Sequence, residues 1–574
     1  MSAVLGIAAR GAPSSVLGWL LRFGLAFALL NAMLTFENRW PGFGVHAMPR
    51  LSFELCLGVG ALWAWVVWRG QLSARAATAL SLGVVFLVLV RYADVTAPAV
   101  LGRPVNLYWD GRHAAELVRL AVQSASGWQM AGALAALVLG AFVLYLTARI
   151  STATLARALV WKRSWPWLLT AIGLLSLSFA AYVPERRDTR WFFSLPLSPT
   201  LLHQAQLLAG VWWPAHGNAA LGPSPAFDGD LSGLVGKHGP ADVLLVFAES
   251  YGTVTFDQPA QASALATARG ALDDAIHHSG RTVVTARVTA PTFGGSSWLS
   301  HAALLAGVDT SQPADHDLLL ASQRPTLVGH FARHGYRTVG WMPGLKRPWP
   351  EGAFYAFDRL ADDAGIGYGG LDFGYWRIPD QAAMALLHTQ ELDPASARKP
   401  RFAVFPTTST HAPFHPQAPM VQDWPSLSRA DAYTHAQALS ALAAPLSAPQ
   451  TMARYIASMR YQYAWMADYL RDHASPSLVM VVVGDHQPPA LVSGPGASWD
   501  VPVHVISDNR TLLQRLLGSG FAPGLAPPVQ TLGPLHALTP VLLKAFDAPG
   551  ANESAGVEHV SAPATAASAA RSGS

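Results

Sequence analysis

Val243-Leu244-Leu245-Val246-Phe247-Ala248-Glu249-Ser250 runs six apolar residues straight into a carboxylate and a hydroxyl. A short apolar run without alternation predicts a strand buried on both faces. Far downstream, Val479-Met480-Val481-Val482-Val483-Gly484 leads in the same way into Asp485-His486. Further strands are expected at Thr282–Val288, Arg337–Trp341, Phe402–Phe405 and Val501–Ile506. Helical patterns lie at Leu299–Leu305, Thr326–His334, Met452–His473, Thr511–Leu517 and Leu535–Phe546. Strands alternating with helices predict an α/β domain with a mostly parallel, helix-covered sheet. In such sheets ligands gather at the carboxyl ends of strands, where Glu249, Asp485 and His486 would converge.

The rest of the chain has a different composition. Of 574 residues, 51% are hydrophobic and only 13% charged, with a mean hydropathy of +0.26. Soluble chains carry roughly 25% charged residues, so a large part of this one belongs in lipid. Apolar stretches at Val16–Phe36, Phe53–Trp68, Ala76–Val90, Trp128–Leu146 and Trp167–Val183 predict five transmembrane helices. Arg10, Arg69, Arg75, Arg149, Arg157, Lys162 and Arg163 fall on one side of those crossings. The short-loop excess of positive charge places the N-terminus in the cytoplasm and the C-terminal domain outside. Glu54, at the start of the second stretch, reads as a carboxylate at the membrane interface.

The expected organisation is a membrane anchor over residues 1–183, a Gly-, Pro- and Trp-rich linker over 184–240, a catalytic domain over 241–548 and a disordered tail over 549–574. A helix is expected in the linker around Leu201–Ala209. The net charge of +4, with no basic cluster interleaved with aromatics, argues against a nucleic-acid partner. Cys56 is the one cysteine and lies within an apolar stretch. That rules out an intrachain disulfide framework and leaves carboxylate, imidazole or hydroxyl groups to hold any metal outside the membrane. Two carboxylates and an imidazole suit one divalent ion, Mn²⁺ or Zn²⁺.

A fourth partner comes from Pro291-Thr-Phe-Gly294-Gly295-Ser296-Ser297-Trp298. The glycines permit close backbone approach to a ligand, and the serines would open a helix whose N-terminus favours a phosphate. A hydroxyl bound to metal there becomes a nucleophile at neutral pH. Each piece has an ordinary alternative: Asp485-His486 as a turn, Glu249-Ser250 or Ser296 and Ser297 as helix caps, His411 as a satisfied loop histidine. What argues for a site is their conjunction.

Together these pieces resemble the alkaline phosphatase superfamily, in particular its sulfatase-like branch of lipoteichoic acid synthases and phosphoglycerol or phosphoethanolamine transferases. The resemblance covers about Ala241–Phe546. It implies Glu249, Ser297, Asp485 and His486 as metal ligands, with Ser297 the nucleophile and Ser296 its neighbour on the substrate side. It also implies a substrate-side histidine at His411, within Thr408-Ser-Thr-His411-Ala-Pro-Phe414. Lys346, Arg347 and Trp349 would face a head group. Glu351 stands where relatives carry an arginine, which leaves the transferred group open. Ser297 is followed by neither the Pro nor the Arg of a formylglycine motif, which argues against a true sulfatase.

The implied activity moves a phosphoglycerol or phosphoethanolamine group from a phospholipid donor to a glycan or lipid acceptor outside a bacterial cytoplasmic membrane. The alternatives are a phosphate or sulfate ester hydrolase, or a non-enzymatic lipid-binding regulator.

Overall fold

The computed structural model describes residues 15–548 apart from 40–41, 102, 104, 113–117, 119–126, 163–164, 183–192, 213–220, 238, 347–348, 374–375, 394–397 and 435–447. Arg10, Arg163, Arg347 and the tail from 549 onward lie outside the described residues.

The N-terminal part is helical: α1 (Val16–Leu34), α2 (Phe53–Arg69), α3 (Ala74–Leu101), α4 (Gly127–Val160) and α5 (Trp165–Tyr182). Among the described residues, three helices reach the length and apolarity needed to cross a membrane, over Val16–Leu34, Ala74–Val100 and Gly127–Val160. α2 has 17 residues, and the apolar part of α5, Trp165–Leu177, is shorter still. α4 packs against α1, α2 and α3. Small residues on its second half (Ala148, Ser151, Ala156, Ala158) are buried there and let neighbouring backbones approach. Leu21, Leu25, Leu57, Leu139, Phe142 and Leu174 face outward. Ser15 and Ser52 cap α1 and α2 by accepting the N–H groups of Gly18 and Leu55, each at 3.1 Å.

Glu54 has a specific structural task. Its Oε1 accepts the N–H of Leu197 at 3.1 Å, and both the N–H and the hydroxyl of Ser198 at 3.0 and 2.9 Å. It thereby caps α6 (Ser198–Trp212), the helix expected in the linker.

The C-terminal part is built on an eight-stranded sheet. Its strands are β1 (Val243–Ala248), β2 (Thr282–Thr289), β3 (Arg337–Trp341), β4 (Arg359–Ala361), β5 (Arg401–Pro406), β6 (Val479–Gly484), β7 (Asp500–Ser507) and β8 (Ala522–Pro523). Their order across the sheet is β4-β3-β5-β1-β6-β7-β2-β8. All pairs from β4 to β6 are parallel, whereas β7 runs antiparallel to both of its neighbours and β8 antiparallel to β2. The expected mostly parallel sheet is present, with two short edge strands added.

Both faces are covered. Leu244, Val246 and Ala248 of β1 join one core with α7 (Pro259–His278) and a helix from Ala448 to Asp472. The alternate residues Val243, Leu245 and Phe247 join the opposite core with helices from Leu327, Arg510 and Leu538. This double burial is why β1 and β6 read as continuous apolar runs rather than as alternating ones.

Candidate active site

Register brings the two carboxylates together. Ala248 lies opposite Gly484 in the parallel β1–β6 pair, so Glu249 and Asp485 leave the sheet side by side. Gly484 is demanded by its surroundings, since a Cβ there would sit 1.9 Å from the carbonyl oxygen of Tyr251. On the other side β5 pairs with β1 and hands the chain to Thr407, whose N–H donates to the Phe247 carbonyl at 2.9 Å. The loops after three neighbouring strands thus meet at one sheet edge.

Ligand atoms of Glu249, Asp485 and His486 lie within 4.8 Å of one another, and all three residues are buried. His486 Nδ1 is 2.8 Å from the Gln487 carbonyl. A carbonyl only accepts, so Nδ1 carries the proton and Nε2 turns its lone pair into the trio. Nε2 lies 3.6 Å from Asp485 Oδ2 and 3.7 Å from Glu249 Oε1.

Ser297 completes the cluster. It opens α8 (Ser297–Ala306), and its Oγ lies 3.1 Å from both Glu249 Oε2 and His486 Nε2. Both neighbours accept, so the hydroxyl proton has two places to go. The preceding backbone is left-handed over three residues: φ is +65° at Gly294, +147° at Gly295 and +64° at Ser296. The turn is pinned by Gly294 N–H on the Gln487 carbonyl at 3.1 Å and by Thr292 Oγ on the Gly295 carbonyl at 2.7 Å. Ser300, one turn into the helix, donates to the Asp485 carbonyl. Ser296 is the N-cap residue but makes no side-chain capping bond.

Electrostatics set this cluster apart. Burial and the charge of Glu249 push the Asp485 carboxyl well above the usual carboxylate range. Burial works in the same direction on Glu249, but His411, His486 and hydrogen bonds from Asp485 and Ser250 outweigh it and hold that group low. Without a cation the two acids therefore keep one proton between them. Burial also lowers the basicity of His486, against the pull of Glu249. Two buried carboxylates and a buried neutral imidazole lone pair, with a half-buried hydroxyl beside them, are a donor set fitted to a divalent cation. Among the described residues this is the one trio of metal-ligating side chains.

His411 sits in the loop after β5. Its Nδ1 bonds the Ala412 carbonyl at 2.6 Å, its ring meets the Trp376 ring edge-on at 4.7 Å, and its charge bears on both Glu249 and His486. Lys346 Nζ stands 6.0 Å from the same Trp376 ring. Trp349 is placed otherwise: half-buried, it packs on Tyr355 at 5.7 Å and close above Gly352, against the second core. The aromatic beside His411 is thus Trp376, which the sequence reading passed over.

Other contributors were not singled out by sequence either. Thr407 Oγ accepts the Glu249 N–H at 3.0 Å, and Thr410 donates to the Glu249 carbonyl. Arg103, from the segment after α3, bears electrostatically on His486 while it pairs with Asp110 through bonds of 2.7 and 3.2 Å. His301, one turn below Ser297, packs on Phe247 at 4.3 Å, and burial lowers its pKa to about 3, so it is neutral at physiological pH.

No protein-family model and no curated protein matches the sequence. Solved structures do. The chain is similar to members of the alkaline phosphatase superfamily. One is a protein of that superfamily from Vibrio parahaemolyticus, 16% identical with a TM-score of 0.31, covering 52% of this chain and 69% of the other. A second is the lipoteichoic acid synthase LtaP from Listeria monocytogenes, 12% identical with a TM-score of 0.35, covering 55% and 78%. A third is the C-terminal periplasmic domain of EptC from Escherichia coli, 15% identical with a TM-score of 0.31, covering 47% and 72%; it has also been solved in complex with Zn.

Proposed function

We propose that the protein is a membrane-bound phosphoester transferase that works through a covalent intermediate on Ser297. The observation that carries this reading is the placement of Ser297 Oγ at 3.1 Å from both Glu249 Oε2 and His486 Nε2, with Asp485 beside them. A hydroxyl at a helix start with two acceptors for its proton is arranged as a nucleophile.

Glu249, Asp485, His486 and Ser297 would hold one divalent cation, Mn²⁺ or Zn²⁺, which would supply positive charge to the serine oxygen and to the phosphoryl oxygens. Ser297 Oγ attacks phosphorus as its proton passes to the neighbouring acceptor. The bond from phosphorus to the departing alcohol breaks, and that alcohol takes up a proton, a role this reading assigns to His411. An acceptor hydroxyl then attacks the phosphorylated serine, loses its proton and releases Ser297. The helix N-terminus and the left-handed Gly294–Ser296 turn favour the negative charge of the phosphoryl group.

The apolar helices support a lipid as donor, because they hold the site at the bilayer where head groups are concentrated. In this reading the chain crosses the membrane five times with its catalytic part outside, as in a bacterial cytoplasmic membrane. A phosphoglycerol or phosphoethanolamine group passes from phospholipid to a glycan or lipid, and diacylglycerol is left behind. Lys346 and Trp376, 6.0 Å apart from Nζ to ring, would meet the head group.

The test is diacylglycerol release from phosphatidylglycerol and from phosphatidylethanolamine by detergent-purified wild type and Ser297→Ala, with Mn²⁺ or Zn²⁺ supplied. Release from one lipid that is abolished in the variant supports the proposal and names the donor. Release that needs no acceptor and continues with water alone makes the protein a hydrolase. Full activity in Ser297→Ala overturns the nucleophile. No release from either lipid, with no cation bound, points to a non-enzymatic lipid-binding role.

A further inference from the structure

Ser250 follows Glu249 but is not itself in the trio, and it turns both of its donors onto the trio's carboxylates. It is 1% exposed and holds φ at +54°, a left-handed conformation that non-glycine residues rarely adopt. Its N–H donates to Asp485 Oδ1 at 2.8 Å, and its hydroxyl donates to Glu249 Oε1 at 2.8 Å. Its carbonyl accepts the hydroxyl of Tyr455 at 2.9 Å, and Tyr455 is wholly buried in the helix Ala448–Asp472.

The consequence is a division of labour among carboxylate oxygens. Asp485 Oδ1 is occupied by Ser250 N–H and by His486 N–H at 2.7 Å, which leaves Oδ2 on the side of His486 Nε2. Glu249 Oε1 is occupied by the Ser250 hydroxyl, which leaves Oε2 on Ser297. One residue therefore fixes the rotation of both acids. The groups that orient ligands commonly decide how well a metal is held.

We infer that Ser250 is a positioning residue that presets Glu249 and Asp485 for a divalent cation, and that Tyr455 locks Ser250 in the left-handed turn this requires. The inference rests on the metal-site reading given above. Ser250 touches neither substrate nor the reacting atoms; it acts through the two carboxylates.

The experiment is calorimetric titration of full-length, detergent-purified, metal-stripped protein with Mn²⁺ and with Zn²⁺, read beside thermal melts. Ser250→Gly keeps the N–H and tolerates positive φ but removes the hydroxyl. It should fold as wild type and bind cation roughly 10- to 100-fold more weakly. Ser250→Ala removes the same hydroxyl but keeps a Cβ at positive φ, so it should lose affinity as much as Ser250→Gly and melt below it. Tyr455→Phe should lose a few-fold in affinity, since only the lock on the carbonyl is gone. Wild-type affinity in a folded Ser250→Gly, together with loss of binding in Glu249→Gln, overturns the inference and leaves the metal site standing. Absence of cation binding by wild type overturns both.

Discussion

The carboxylate of Asp380 accepts the backbone N–H of Thr408 at 2.7 Å. It also accepts the N–H of Ser409 at 3.1 Å, and Ser409 Oγ accepts the Asp380 N–H at 3.1 Å. This buried acid opens the helix Asp380–Leu387 and anchors the loop that presents His411. Burial, opposed by these hydrogen bonds, raises its pKa to about 6 from a usual 3.8. A raised acid contributes stability fully below pH 4, and that contribution is lost as pH climbs through 6. Asp380→Asn does not titrate. Thermal melts in detergent should show the stability of the variant relative to wild type improving between pH 4 and pH 7, by up to roughly 3 kcal/mol. A difference that stays flat across that window contradicts the assignment.

Cation binding should release protons. The Glu249–Asp485 pair keeps one proton that a divalent ion would displace. Titrations at pH 7 in buffers of different ionisation enthalpy should count about one proton released per ion, with affinity rising as pH is raised. Chelation should remove the activity, and Mn²⁺ or Zn²⁺ should restore it. Binding that releases no proton would mean the two acids are separately ionised.

His411→Ala should lower kcat by ~10²- to 10³-fold if the imidazole serves the leaving group, with cation affinity changed little. Trp376→Ala, which removes the ring beside His411, should give a smaller loss in the same direction. A His411 variant that instead loses its cation would place that residue among the ligands.

Glu54→Ala removes the cap from the first turn of α6. Such a loss costs about 1 kcal/mol, seen as a lower melting temperature and faster protease cleavage around Ser198. Activity per folded molecule should be unchanged if the cap serves only the linker.

The sequence made the centre of the sheet legible because β1 and β6 are covered on both faces, which writes itself as unbroken apolar runs. The edge strands β4 and β8 have three and two residues, too few for any pattern. α7 was missed because its alanine-rich face carries only Leu265, Leu272 and Ile276 as large buried anchors. Candidate site residues were legible where chemistry clusters locally, as in Asp485-His486 and Gly294–Ser297. Ser250, Thr407 and Asp380 were not, because their roles depend on backbone geometry and on partners 235, 158 and 28 residues away. Trp349 illustrates the reverse: an aromatic in a suggestive segment turned inward to pack on Tyr355.

The 28 residues of α3 extend about 42 Å at 1.5 Å per residue, while the hydrocarbon of a bilayer is only about 30 Å thick. The helix also packs directly on Ala490–Ser493, a few residues beyond Asp485 and His486. On the function proposed above, this helix is a pillar as well as an anchor. It would then set the clearance between the candidate site and the lipid surface, with the reach into the head-group layer written into the length of a single helix.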